Sequence, residues 1–261
     1  MEYIIIALTA FGASLLTFFA GFGLGTIMLP VFALFFPIEV AVSLTAIVHL
    51  LNNLFKIGLV GKHINKEILV RFGVLAILGA FAGAWLLTKL AGMQFSIYEY
   101  EWLGRQFSIS PLALTIGLLM CGFAVLEYFS LLKEWKLPAY ALYLGGLLSG
   151  FFGGLSGHQG ALRSAFLVKV NLSKEAFIAT GVAVACLVDV IRLSIYSSKF
   201  ALNNWANDWP ILLVAVLAAF GGAYLGKKLL QKTKVEKLYK FVAFMLMAFG
   251  LLMASGLISK V

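Results

Sequence analysis

Eight apolar runs, each close to twenty residues long, recur near residues 3–20, 38–57, 72–91, 111–130, 139–156, 175–197, 210–228 and 240–258. A helix needs about 20 such residues to cross roughly 30 Å of hydrocarbon. In lipid it must also satisfy its own backbone polar groups. The recurrence therefore predicts an all-α, polytopic membrane protein. Composition agrees: of 261 residues, 62% are hydrophobic and 12% charged, against roughly 25% charged in a soluble domain. Mean hydropathy is +1.01. A soluble enzyme, a disordered scaffold and a disulfide-stapled secreted module are excluded. The net charge of +9 does not point to nucleic acid, because the basic residues collect in short segments between the runs. Cys121 and Cys186 lie inside apolar runs without a CxxC pairing and read as packing residues. No metal or cofactor motif is present. Glu2 stands where a signal peptide would carry basic residues, so the first run is expected to be a retained span.

Two further apolar pieces, 25–36 and 161–170, are too short to cross. One follows the glycine-rich stretch Gly21, Phe22, Gly23, Leu24, Gly25; the other follows Gly153, Gly154, Gly157 and Gly160. Broken backbone at membrane depth is tolerated where it is buried in protein or lines a cavity. Both pieces are therefore predicted to be re-entrant half-helices. Pro111, Pro138 and Pro210 are expected at or just before span starts, where a missing N–H costs little.

Charge fixes the orientation. The segments 56–71, 131–138 and 226–240 hold twelve of the twenty basic residues, among them Lys56, Lys62, Lys66, Lys227 and Lys228. The segments 92–110 and 198–209 and the C-terminus hold only Arg105, Lys199 and Lys260. Basic loops stay cytoplasmic. With two re-entrant segments, all three basic segments fall on one side and both termini lie outside the cytoplasm.

The chain also repeats itself. Residues 79–90 (GAFAGAWLLTKL) match 218–229 (AAFGGAYLGKKL) at a shift of 139. A shift of 136 sets Gly21 on Gly157, Glu39 on Glu175, Asn53 on Asp189 and Lys56 on Arg192. Given the orientation above, the copies run in opposite directions across the membrane, as in many secondary transporters. The expected organisation is a first transmembrane repeat over 1–130 and a second over 131–261, with about eight spans and two half-helices. Gly79 with Gly83, and Ala218 with Gly222 and Gly226, form small-residue faces that suit close helix packing. Packing inside the bundle is the preferred reading of these faces, with a homodimer through them as the alternative.

Polar residues within the apolar segments carry the functional argument, because a central Arg or Asp costs about 2.5–3.5 kcal/mol on insertion scales. They are His49, Asn52, Asn53, His158, Gln159, Arg163, Asp189 and Arg192. Arg163 follows Gly160 at the start of the second half-helix. A helix N-terminus and a guanidinium together suit a small oxyanion; the alternative is a tie between Arg163 and Asp189. Asp189 and Arg192, three apart, either form an internal salt bridge or make Asp189 a protonation or gating site. His49 and Asn53, four apart beside Asn52, serve either a helix–helix hydrogen bond or substrate contact. Glu39 and Glu175 open their helices, where a carboxylate complements the dipole. His63 lies in a basic loop and reads as solvated.

Gly21–Phe22–Gly23–Leu24–Gly25, then Pro30 and Ala41–Val42–Ser43–Leu44–Thr45–Ala46, resemble the repeat motif of the TauE/SafE sulfite exporter family. Gly153–Gly154–Leu155–Ser156–Gly157–His158–Gln159–Gly160–Ala161 is similar to its second copy. The resemblance spans essentially the whole chain. It implies a carrier of sulfite, thiosulfate, organosulfonates or related anions in the cytoplasmic membrane of a prokaryote. Two departures bear on the substrate: Leu24 stands where the family tends to have a third glycine, and Phe166 stands where Pro30 would be matched.

The expected function is a secondary transporter working by alternating access, with protons as candidate coupling ions. The anion is expected against Gly21, Gly23, Gly25, Gly157 and Gly160, held by Arg163, His158 and Gln159, with His49, Asn52 and Asn53 opposite and Asp189 and Arg192 in coupling or gating. A channel on the same broken helices is the alternative. The GxSG sequence at Gly154–Gly157 raises an intramembrane hydrolase, but no histidine follows His158 to serve as base.

Overall fold

In the computed structural model the described residues are 1–20, 23–129, 141–197, 205–229 and 236–258. The apolar runs are helices: α1 (Glu2–Ala20), α3 (Ile38–Val60), α4 (Lys66–Ala91), α5 (Pro111–Tyr128), α6 (Ala141–Ser156), α8 (Lys174–Ser197), α9 (Trp205–Leu229) and α10 (Glu236–Ala254). Among the described residues, five helices, α3, α4, α5, α8 and α9, are long and apolar enough to cross a membrane. The short pieces are also helical, α2 (Leu24–Ala33) and α7 (Gly160–Leu167), the latter running into a 3-10 turn at Val168–Val170. The chain is thus a largely helical, multi-pass membrane protein.

Local chemistry sets several ends. The Asn65 side chain accepts from the Ile68 N–H at 3.0 Å to start α4. The Ser110 hydroxyl does the same for Ala113 at 3.1 Å, with Pro111 in the first turn of α5. Two expectations shift. Helix α9 begins at Trp205, so Pro210 lies inside it rather than at its start. Helix α3 runs on to Val60, so Lys56 belongs to a helix and is buried, not in a basic loop. The 131–138 segment with Pro138, residues 230–235 of the 226–240 segment and Gly21 lie outside the described residues.

A two-stranded hairpin, β1 (Tyr98–Trp102) and β2 (Arg105–Ile109), stands between α4 and α5. Leu103 and Gly104 turn it with φ of 52° and 72°, the double left-handed geometry of a tight hairpin. The Tyr100 hydroxyl donates to the Ser255 carbonyl at 2.7 Å, tying the hairpin to the end of α10. The alternation Tyr–Glu–Tyr–Glu–Trp is the strand pattern, in a stretch expected only as a loop.

Helix α4 packs along α6, α9 along α1, α5 along α10, and α3 crosses α8 at the centre. The α4–α6 seam is backbone on backbone. A Cβ on Gly79 or Gly83 would stand 2.1 or 2.0 Å from the Leu147 or Phe151 carbonyl oxygen, and one on Gly150 would stand 2.0 Å from that of Ala76. Gly222 presses in the same way on the Phe11 carbonyl of α1, and a Cβ on Gly226 would stand 2.9 Å from the Phe18 Cβ. These small-residue faces are therefore filled within the chain, where dispersion and close approach hold helices together in lipid.

Candidate functional site

Buried polar side chains gather where α3 crosses α8. On α3 they are His49, Asn52, Asn53 and Lys56; on α8 they are Asp189 and Arg192, with the Tyr196 phenol one turn beyond. Spacings of three, four and seven residues put each set on one side of its helix. The sides of α3 and α8 therefore meet polar to polar inside an apolar bundle.

Asp189 is the hub. The Arg192 Nε donates to its Oδ1 at 2.9 Å, with Nη2 2.8 Å from the same oxygen. His49 Nδ1 lies 2.6 Å from Oδ2, so the ring carries its proton there and donates to the carboxylate. The Gln159 amide donates to Oδ1 at 3.4 Å, and its own oxygen accepts from Arg163 Nη1 at 3.5 Å. Of the two alternatives drawn for Asp189, the Arg192 salt bridge is present, and the carboxylate also holds a histidine from α3. Arg163 reaches Asp189 through Gln159.

The broken ends of α6 and α7 are fastened to this hub. Arg192 Nη1 donates to the Gly153 carbonyl at 3.4 Å, and the Tyr196 hydroxyl donates to that of Gly154. These are last-turn carbonyls of α6, and that of Gly153 also accepts from the Gly157 N–H at 2.9 Å. The Ser149 hydroxyl donates to the Gln159 carbonyl at 3.2 Å. Gly157 turns the chain with φ of 80°, and a Cβ there would stand 2.8 Å from Arg192 Nη1. Only glycine meets both conditions. A Cβ on Gly25 would lie 3.6 Å from the Gly157 carbonyl oxygen, and one on Gly23 would lie 3.0 Å from His49 Nε2. The two glycine turns therefore meet at the level of His49.

Beside the hub is a cavity of about 30 Å³, room for a water molecule or two. His49, Asn53 and Lys56 line it from α3, Arg163 and Ser164 from α7, Gly181 from α8, and Thr17 and Phe18 from α1. Lys56 sits with its ammonium 5.6 Å from the centre of the Phe18 ring. The Asn52 amide, oriented to satisfy both of its ends, donates to the Ala219 carbonyl at 3.2 Å and accepts from Lys56 Nζ at 3.3 Å. Asn52 therefore steadies Lys56 and does not line the cavity. Asn53 places its amide nitrogen 3.2 and 3.3 Å from the two His49 ring nitrogens.

His158 is not part of this group. Its ring stacks on Phe123, 5.6 Å between centroids and 8° between planes. Its Nδ1 lies 3.0 Å from the Ser156 hydroxyl. It lines a separate hollow with Thr26, Glu127 and Leu246. Of the residues expected to hold an anion, the cavity brings together His49, Asn53 and Arg163. Gln159 stands behind Arg163, Gly160 opens the helix that carries Arg163, and His158 is elsewhere. Lys56 and Tyr196 were not anticipated. The shift of 136, which sets Lys56 on Arg192, is the sequence feature that marks Lys56. Among the described residues no group of three His, Cys, Asp or Glu could hold a metal ion.

A chain of packed broken helices around buried cations matches a known family model, sulfite exporter TauE/SafE, over residues 6–253. The chain belongs to the TauE/SafE family. That family is one of membrane transporters, which places the buried polar cluster in a transport protein. Comparisons with curated proteins and with solved structures returned no match.

Proposed function

We propose that this TauE/SafE protein is a secondary transporter of small sulfur-containing anions, which bind between Lys56 and Arg163 when the cavity there widens beyond its present room for a water molecule or two. The observation that carries this reading is the placing of two buried cations, one from each half of the chain, on the wall of one cavity. Charged side chains at membrane depth are expensive and face a pathway or a partner. A guanidinium and an ammonium on facing helices suit an oxyanion. His49 and Asn53 complete the wall, and Gln159 orients Arg163.

The mechanism we assign is alternating access between two inverted repeats, 1–130 and 131–261, in an eight-span bundle. The packing supports it. If α1 to α5 correspond to α6 to α10, the α4–α6 contact is mirrored by α9–α1, and α3–α9 by α8–α4. With α3 on α8 and α5 on α10, each of those contacts maps onto itself. With Phe11 set on Leu147, Gly222 and Gly226 occupy the places of Gly79 and Gly83. That is a shift of 143, one helical turn beyond the sequence match. The Lys227 ammonium donates to the Leu59 carbonyl at 3.0 Å, bringing two basic segments to one face. This favours a cytoplasmic membrane orientation with that face inward and both termini outward.

The test is affinity for a panel of sulfur oxyanions in purified wild type, Arg163→Lys and Arg163→Gln. A hydrogen bond to a charged group is worth about 1.5–3 kcal/mol, so Gln should raise the half-saturating concentration roughly ten- to a hundredfold. Lysine keeps the charge but not the paired donors, and should lose less. Unchanged affinity in a well-folded Gln variant would move the site elsewhere.

A further inference from the structure

We infer that His49 binds a proton that travels with the anion, making the protein a proton–anion cotransporter. The inference rests on the transport reading above and adds a second transported species to it. Its ground is the position of one imidazole in two arrangements at once. His49 lines the cavity that Lys56 and Arg163 share, and the same ring joins α3 to α8 through Asp189 at 2.6 Å.

The geometry assigns the two nitrogens different tasks. Nδ1–H donates to Asp189 Oδ2, which leaves the lone pair on Nε2. The Asn53 amide nitrogen lies 3.2 Å from Nδ1 and 3.3 Å from Nε2, over the ring, so the in-plane Nε2 lone pair is not taken up by it. An incoming proton forms the Nε2–H bond at that lone pair. No other bond is made or broken, and the proton leaves from Nε2 on the opposite side. Gly23 leaves this nitrogen room, since a Cβ there would stand 3.0 Å away.

The groups that face His49 explain why proton and anion load together. From α8 come Asp189 and Arg192, and Asp189 already holds Arg192. From α7 comes Arg163, and from α3 itself come Asn53 and Lys56. Next to this face, α3 meets α9 through the Asn52–Ala219 contact and a stacked Phe55–Phe220 pair. A proton on His49 therefore adds positive charge to a wall that holds two cations already. An anion in the cavity offsets that charge, and the charge in turn draws the anion. By linkage each ligand strengthens the other.

The test uses purified protein in vesicles with the membrane potential clamped at zero. The probes are thiosulfate and methanesulfonate, which take up no proton near neutrality, so any proton moved belongs to the protein. With one proton per anion, a gradient of one pH unit should drive roughly tenfold accumulation. A pH dye inside the vesicles should count one proton per anion. In His49→Gln the anion that still exchanges should equilibrate without accumulating. Accumulation by the Gln variant equal to wild type, or wild-type flux with no proton movement, would overturn the inference and leave the transport reading standing. If the Gln variant fails to insert, the wild-type proton count alone decides. If the wild type exchanges neither probe, the sulfur-anion reading falls and the proton with it.

Discussion

Replacing Asp189 by Asn tests the hub most directly. The side chain is fully buried, accepts from Arg192, His49 and Gln159, and is the buried carboxylate among the described residues. Asn keeps the shape and one acceptor oxygen but removes the charge. Arg192 is then left buried without an anionic partner among the described residues, its contacts being neutral groups such as the Gly153 carbonyl and the Tyr196 side chain. Breaking one side of a buried ion pair costs about 3–5 kcal/mol. For a chain of this size, each kcal/mol lowers the melting temperature by roughly 2–4 °C. The variant should therefore melt about 6–20 °C below wild type in detergent, followed by intrinsic fluorescence and size-exclusion recovery. The double change Asp189→Asn with Arg192→Gln removes the stranded charge and should recover part of the loss. Recovery stays partial, because the double change also removes the Arg192 cap on α6. A coupling energy of about 0.5–3 kcal/mol in that cycle is expected for contacting residues. Melting of the single variant within about 2 °C of wild type would mean that Arg192 is compensated elsewhere, and the hub as described would be wrong.

Two other outcomes follow from the packing and the charge distribution. Gly150→Val should abolish monodisperse protein, because its Cβ would stand 2.0 Å from the Ala76 carbonyl oxygen; Gly122→Ala, with nothing within 4 Å, should melt like wild type. In size-exclusion profiles of the two, equal behaviour would contradict the α4–α6 seam. Cysteine at the exposed Lys62 should react with an impermeant thiol reagent only after the membrane is opened, and cysteine at exposed Gln106 should react in intact cells. The reverse pattern would invert the assigned orientation.

The helices were legible because a bilayer imposes one simple demand, length times hydropathy, and the sequence answers it locally. The Asp189–Arg192 pair was legible for the same reason, since three residues on a helix bring two side chains together. The His49–Asp189 contact was not, because its partners are 140 residues apart and no local pattern encodes which helices cross. Lys56 was misplaced by the charge count itself: a lysine near the end of an apolar run counts toward the loop until the helix is seen to continue. The hairpin is encoded in period and not in charge, and the charge of an extramembrane stretch says nothing about its backbone. Its alternation and its Leu103–Gly104 turn were there to read.

Charge balance adds a step that local pattern could not. Among the described residues, the first half of the chain buries Lys56 with no buried carboxylate, and the second half buries Arg163 and Arg192 with Asp189 alone. Neither set is neutral inside a low-dielectric bundle. A buried charge persists when another group offsets it, so the first half must look across to the second. Asp189 is shared between them, already carrying Arg192 and holding His49. The excess of positive charge then falls around the cavity that Lys56 and Arg163 line. A transporter that binds an anion at that point makes its own core more stable when loaded, by mass action on the filled state. Thiosulfate or a sulfonate should therefore raise the melting temperature of the purified wild type in a concentration-dependent way, and the effect should shrink in Arg163→Gln. A shift of equal size in the variant would place the stabilising anion away from Arg163 and detach the charge excess from function.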